Sequence, residues 1–88
     1  MVKGKTGSGF EFEIDEMIAD DMEFMEFLAD AMDDAVKFPK VMEQLLGKEQ
    51  KKRLYDHIRG ESGRVSIEKS ITEFTEIMTL AGEELKNS

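Results

Sequence analysis

The C-terminal third of the chain carries the pattern that most restricts its fold. From Ile67 onward, apolar side chains recur at alternating intervals of four and three residues over 19 positions. This spacing places them along one face of an α-helix. Ser66 immediately precedes the run, and serine is a preferred N-cap residue. We therefore expect a helix at 66–85, followed by a frayed tail at 86–88. The face, called here the C-terminal seam, consists of Ile67, Ile71, Phe74, Met78, Ala81 and Leu85.

The first 14 residues have a different period. The segment FEFEI at 10–14 alternates apolar and acidic side chains, which is typical of a half-buried strand. The preceding KGKTGSG at 3–9 contains the lysine and hydroxyl of a phosphate-binding loop. A phosphate-binding loop also requires a glycine five positions before its Gly-Lys-Thr, and a buried strand leading into the loop. Only three residues precede Gly4 here, so both features are missing. We therefore expect a glycine-rich turn inside a β-hairpin spanning 1–14.

The segment 15–58 is expected to be helical with internal breaks. Asp15 is a candidate N-cap, and Asp20 with Glu23 three positions later could form a capping box. A break near Ala19 separates these two starting points. Apolar residues then cover a wide arc of the helix, and carboxylates occupy the remainder.

A second boundary follows at Pro39, a residue that suits the first turn of a helix. A short helix is expected at 39–46, ended by Gly47. Another helix is expected at 48–58, and the two glycines of 59–65 predict a loop.

The predicted fold is mainly α: a single domain over 1–88, with about four helices and a short N-terminal β-hairpin. No cysteine is present, which fits a reducing compartment. No apolar run approaches the roughly 18 residues needed to cross a membrane. The sequence therefore predicts a cytoplasmic protein without membrane contact.

The net charge of −8 is concentrated in the first half of the chain. Residues 11–34 contain no lysine or arginine, and such a surface repels nucleic acid, so no nucleic-acid partner is expected. The acidic run has three interpretations: a solvated helix face, steering toward a basic partner, or mimicry of a phosphate backbone. Its 11 carboxylates are Glu11, Glu13, Asp15, Glu16, Asp20, Asp21, Glu23, Glu26, Asp30, Asp33 and Asp34.

No residue pattern indicates catalysis. His57 is the only histidine, and its spacing from Glu61 provides two potential ligands where a metal site needs three or four. No serine lies in a nucleophile-elbow pattern. We predict no catalytic residues, no cofactor and no metal, and hence a protein that is not an enzyme.

Methionines are frequent, with seven in the chain. Flexible thioethers fill irregular gaps in cores, and they also form surfaces that adapt to variable apolar partners. Five methionines lie in the helical first half: Met17, Met22, Met25, Met32 and Met42. We expect most of them to pack in the core. We expect an adaptable surface wherever the apolar arc exceeds what the rest of the chain can cover.

The order of three segments resembles the small tail assembly chaperones of long-tailed bacteriophages and prophages. The segments are SGFEFEIDE, DDMEFMEFLADA and FPKVMEQLLGKEQKKRLYDHIRGESGRVSIE. The resemblance covers about 9–77 and is strongest at 45–68. It implies a mainly helical protein in the bacterial host cytoplasm. Such proteins hold the helical tape-measure protein soluble while tail tube subunits polymerise around it.

Two functional hypotheses follow. In the first, the chain is a tail assembly chaperone whose C-terminal seam, centred on Ile71, Phe74 and Met78, binds the tape-measure protein; the tail tube protein is a second candidate partner. In the second, the acidic run makes the chain a DNA-mimicking decoy for a host polymerase or nuclease. A free seam on a small domain also favours self-association into a homo-oligomer.

Overall fold

The computed structural model describes the backbone of residues 1–86 and the side chains of residues 1–84. No helix in this part of the chain is long and apolar enough to cross a membrane. The strands are β1 (Val2–Lys5) and β2 (Glu11–Ile14), and the α-helices are α1 (Met22–Asp33), α2 (Phe38–Arg59) and α3 (Ile67–Lys86). Three short 3-10 turns connect them, at Glu16–Asp20, Ala35–Lys37 and Gly60–Ser62.

The predicted N-terminal hairpin is confirmed. The antiparallel register pairs Val2 with Ile14, Lys3 with Glu13, Gly4 with Phe12 and Lys5 with Glu11. Val2, Phe12 and Ile14 are buried on one face, as the alternation predicts, while charged pairs occupy the other. Gly4 lies beneath the ring of Phe12. A Cβ at this position would approach Phe12 Cζ to 2.6 Å, so a larger residue would collide with the ring.

The break before α1 lies one residue later than the capping box predicts. Asp20 ends the first 3-10 turn, and Asp21 is the N-cap of α1. The Asp21 carboxylate accepts hydrogen bonds from the backbone N–H groups of Glu23 at 2.9 Å and Phe24 at 3.3 Å. Asp15 caps the 3-10 turn in the same way, accepting from the Met17 N–H at 2.9 Å.

The helix count is three rather than about four. The segments predicted at 39–46 and 48–58 are the two halves of α2, which meet at Gly47. Gly47 has φ 82° and ψ 162°, a backbone conformation outside the helical region. It bends α2 without separating its halves by a loop. Pro39 lies in the first turn of α2, as predicted.

The helices enclose one core with the hairpin. β1 packs on α3, whereas α2 contacts β2, α1 and α3. The start of α3 is as predicted, since the Ser66 hydroxyl accepts a hydrogen bond from the Lys69 N–H at 3.1 Å. The buried apolar residues are Val2, Phe10, Phe12, Ile14, Phe24, Ala31, Val41, Met42, Leu45, Leu46, Leu54, Ile58, Phe74, Ile77 and Ala81.

The expectation that most methionines of the first half lie in the core is wrong. Met42 is buried, but Met17, Met22, Met25 and Met32 are all at least 59% exposed. The buried face of α1 is narrow, with only Phe24 and Ala31 fully enclosed by the rest of the chain. The remainder of the apolar arc therefore lies on the surface.

Candidate partner-binding surfaces

The C-terminal seam is divided between core and surface. Ile67 is exposed, Ile71 and Met78 are half-buried, and Phe74 and Ala81 are buried. The side chain of Leu85 lies outside the described part of the chain, as do residues 87–88 of the predicted frayed tail. The buried face of α3 is centred near Ile77 rather than on the seam. Ile71 and Met78 lie at the border of that face. Ile71 precedes Phe74 by one helical turn, and Met78 follows it by one turn.

Phe74 is a packing residue of the core. It is 5% exposed, and its ring meets the Phe38 ring edge-to-face with a centroid distance of 5.4 Å. This is a favourable arrangement for two aromatic rings. A partner could reach Phe74 only after α3 had separated from α2, so its predicted role as a contact residue does not suit the folded chain.

An apolar groove lies between α2 and the start of α3. We call it the α2–α3 groove, and its volume is about 360 Å³. Ile67 and Ile71, two residues of the predicted seam, lie in it together. Its lining consists of Ala35, Val36, Phe38, Pro39, Met42, Tyr55, Val65, Ile67, Ser70 and Ile71.

The bend at Gly47 builds this groove. Met42 and Tyr55 both line it, although 13 positions separate them, equivalent to about 20 Å along a straight α-helix. A change of direction between these residues brings both to one groove. Gly47 supplies that bend with its positive φ.

Two exposed aliphatic side chains flank the groove. Val36 is 83% exposed and Ile67 is 76% exposed. Val36 is held by a 3-10 turn whose cap, Asp34, accepts a hydrogen bond from the Val36 N–H at 3.2 Å. The Ser70 hydroxyl in the lining already donates to the Ser66 carbonyl at 2.7 Å. The groove therefore offers apolar contact.

Sequence periodicity could not identify every residue of this groove. Val36 and Val65 lie in short connections, where no helical or strand period applies. Tyr55 belongs to the third predicted helix, and its proximity to Met42 depends on the bend. The sequence signal near Val36 is the helix boundary predicted at Pro39.

A second apolar groove, of about 270 Å³, lies between the first half of α1 and the C-terminal part of α3. It contains Met78 and Ala81 from the seam and Met25 and Leu28 from α1. None of its lining residues belongs to the α2–α3 groove. The seam thus contributes to two separate surfaces instead of one continuous contact.

A polar cluster joins the hairpin turn to α2 and α3. The buried Glu73 carboxylate accepts hydrogen bonds from the hydroxyls of Thr6 at 2.8 Å and Ser8 at 2.9 Å. Ser8 Oγ also lies 3.0 Å from His57 Nε2, and the Gly7 N–H donates to Glu76. The turn that resembles a phosphate loop in sequence is therefore bound by carboxylates.

The direction of these hydrogen bonds defines what the cluster can do. The Ser8 hydroxyl donates to Glu73, and its contact with His57 Nε2 takes the direction that the imidazole tautomer sets. The Glu73 carboxylate contacts the two hydroxyls of the turn rather than the imidazole. The geometry serves to fasten the hairpin turn onto α3.

We expect Glu73→Ala to lower the free energy of unfolding by about 1–2 kcal/mol, because it leaves the Thr6 hydroxyl buried without its acceptor. Urea denaturation followed by circular dichroism measures the change. Glu83→Ala, at an exposed position on the same helix, is the matched control and should be close to neutral. Equal effects from the two substitutions would contradict a stabilising role for the cluster.

The carboxylates of α1 form an exposed acidic row. Glu23, Glu26, Asp30 and Asp33 are all exposed, and none forms an ion pair with a described side chain. Within the same part of the chain, no group of three or more histidine, aspartate or glutamate side chains converges in a way that could hold a metal ion. Three other acids of the run, Asp15, Asp21 and Asp34, cap turns or helices.

Comparison with known proteins found no matching family model, no matching curated protein and no matching solved structure.

Proposed function

We propose that this chain is a phage tail assembly chaperone that binds apolar helical segments of the tape-measure protein and protects them from aggregation while the tail tube assembles. The observation that carries the proposal is the α2–α3 groove, an apolar depression flanked by the exposed Val36 and Ile67. The sequence resemblance supplies the identity of the partner. In this proposal the chain acts by binding and catalyses no reaction.

An amphipathic helix is the occupant that suits such a groove. It presents apolar side chains three or four positions apart, which insert as anchors into a depression of matching polarity. Exposed apolar surface around a groove is typical of an interaction site. The groove's aliphatic and aromatic lining would contact the anchors, and its satisfied Ser70 hydroxyl requires no partner group.

The proposed contact residues differ in part from those of the predicted seam. Ile67 and Ile71 remain, because they lie in the α2–α3 groove. Val36 joins them as the most exposed apolar side chain at the rim. Phe74 and Ala81 stabilise the fold beneath the surface, and Met78 belongs to the other groove.

Ile67→Asp tests the groove without endangering the fold. The residue is 76% exposed and begins α3, where a carboxylate complements the helix dipole. In a complex, however, the new charge would be buried among apolar groups. We expect binding to a helical tape-measure segment, measured by isothermal titration calorimetry, to weaken at least about tenfold, equivalent to about 1.4 kcal/mol.

Met17→Asp is the matched control, because it adds the same charge at another exposed apolar position, in the first 3-10 turn, that lines neither groove. The proposal predicts that this variant retains binding. Unchanged affinity in the Ile67→Asp variant would exclude the α2–α3 groove as the site. Circular dichroism of both variants verifies that the helices are intact.

The acidic row of α1 favours a second candidate, a decoy that occupies a DNA-binding cleft on a host polymerase or nuclease. Its carboxylates are exposed and unpaired with described side chains. Such binding should weaken steeply with salt, whereas apolar capture should not. Affinity purification from phage-producing cells at low and high salt distinguishes the two candidates by which partner is retained.

Self-association is the competing use of the groove. A second copy would have to overcome repulsion between two chains of net charge −8. Light scattering over a range of concentrations measures the oligomeric state. A homo-oligomer that the Ile67→Asp substitution dissociates would show that the groove is occupied by the chain itself.

A further inference from the structure

Helix α1 presents an unpartnered apolar stripe on its surface. Met22, Met25, Ala29 and Met32 follow one another at intervals of three, four and three residues, so they share one face. The methionines are 68%, 59% and 75% exposed, respectively. We call these four residues the methionine stripe.

The stripe is separate from the face that holds α1 in the fold. Phe24 and Ala31 are buried on that face, with Phe27 and Leu28 packed against the core beside them. Methionines at the stripe contribute little to that core. Their concentration therefore requires another explanation, and flexible thioethers are suited to an apolar partner whose shape varies.

A row of carboxylates runs along one side of the stripe. Glu26 and Asp33 each follow a stripe methionine by one position, which is a rotation of about 100° around the helix, and Glu23 and Asp30 extend the row. All four are exposed, and none is paired with a described basic side chain. The surface thus combines an apolar track with a parallel line of negative charge.

The charge identifies the occupant. A second copy of this chain would place two acidic rows near each other, which is unfavourable. A helix with apolar side chains at heptad spacing and lysine or arginine along one flank matches both parts of the surface. We propose that the methionine stripe and its carboxylates bind a basic amphipathic helix of another protein.

The second groove extends this surface. Met25 belongs both to the stripe and to the groove of about 270 Å³ between α1 and α3, where Met78 lies. An anchor side chain of the bound helix can therefore insert beside Met25 while the rest of the helix follows the stripe. The site shares no lining residue with the α2–α3 groove, so the inference does not depend on the proposed function.

The probes are two synthetic helical peptides with leucine at the heptad core positions, one flanked by lysine and the other by glutamate. Binding to the full chain is measured by fluorescence anisotropy at low and high salt. We expect the lysine peptide to bind at least about tenfold more tightly than the glutamate peptide, with a difference that decreases as salt increases.

Two sets of variants locate the site. Met25→Ser with Met32→Ser removes apolar contact at exposed positions and should weaken binding of the lysine peptide at least about tenfold. Glu23→Gln with Glu26→Gln and Asp30→Asn should reduce its salt dependence. Neutralising three exposed acids elsewhere, Glu49, Glu61 and Glu68, is the matched control and should have a smaller effect.

The Ile67→Asp variant separates this inference from the chaperone proposal, because it should bind the lysine peptide like the unmodified chain. The inference is overturned if the two peptides bind equally. It is also overturned if the methionine substitutions leave affinity unchanged, or if the Glu49, Glu61 and Glu68 variant loses as much binding as the α1 charge variant.

Discussion

Phe74→Ala should lower the free energy of unfolding by about 3–5 kcal/mol, the usual cost of truncating a buried phenylalanine. Phe74 is 5% exposed and packs edge-to-face on Phe38, so the truncation removes that contact and leaves a cavity between α2 and α3. Chemical denaturation followed by circular dichroism measures the loss. For a domain of this size, it is a large fraction of the total stability.

Ile67→Ala is the control for Phe74→Ala, since both residues belong to the seam of α3 but Ile67 is exposed. Its effect on unfolding should stay within about 0.5 kcal/mol. If Phe74→Ala instead preserved stability and abolished partner binding, the residue would be a surface contact, and the division of the seam between core and surface would be incorrect.

Gly47→Ala should destabilise the chain by about 1–3 kcal/mol, because its φ of 82° and ψ of 162° lie in a region that is almost restricted to glycine. A Cβ at this position would meet no neighbouring atom within 4 Å, so the strain is in the backbone. If the proposed function is correct, the substitution should also weaken binding of a tape-measure helix, since the bend brings Met42 and Tyr55 together in the α2–α3 groove.

Gly82→Ala provides the same chemical change with the opposite expected sign. Gly82 lies inside α3, and an added Cβ there meets no atom within 4 Å. Alanine should stabilise this helix by about 0.5–1 kcal/mol. Should Gly47→Ala prove as stabilising as Gly82→Ala, α2 would be a straight helix and the groove would not exist as described.

Local sequence signals predicted the elements of the fold well. Alternation at 10–14 gives a strand because every second side chain points into the core, and the Ser66 hydroxyl can cap only a helix that begins immediately after it. Gly47 was correctly identified as a break. Whether two helical segments meet at a bend or at a loop depends on tertiary packing, which explains the error in helix number.

The candidate site was harder to predict because it depends on distant parts of the chain. The seam of α3 has a regular period along its whole length, yet the core covers only part of it, since the buried face of α3 is centred near Ile77. The contacts of Glu73 join residues more than 60 positions apart. A period identifies an apolar face, but only the packed neighbours determine which positions of that face remain available.

The methionines of α1 illustrate the same limit. Their apolar character predicts burial, and the helical period places them on one broad arc with Phe24 and Leu28. A chain of 88 residues has too little remaining surface to cover that arc. The part of the apolar arc that no other element covers is the exposed methionine stripe. Comparing the width of the arc with the length of the chain could have indicated this exposure.

We propose that the α2–α3 groove binds a helix of the tape-measure protein. Nuclear magnetic resonance of methyl-labelled protein during titration with such a helix tests it most directly. We expect the methyl signals of Val36, Ile67, Ile71 and Met42 to shift with a common dissociation constant, while that of Ile14, buried at the hairpin, stays in place. Shifts that exclude the groove methyls, or no shifts at a saturating concentration of the helix, would contradict the account.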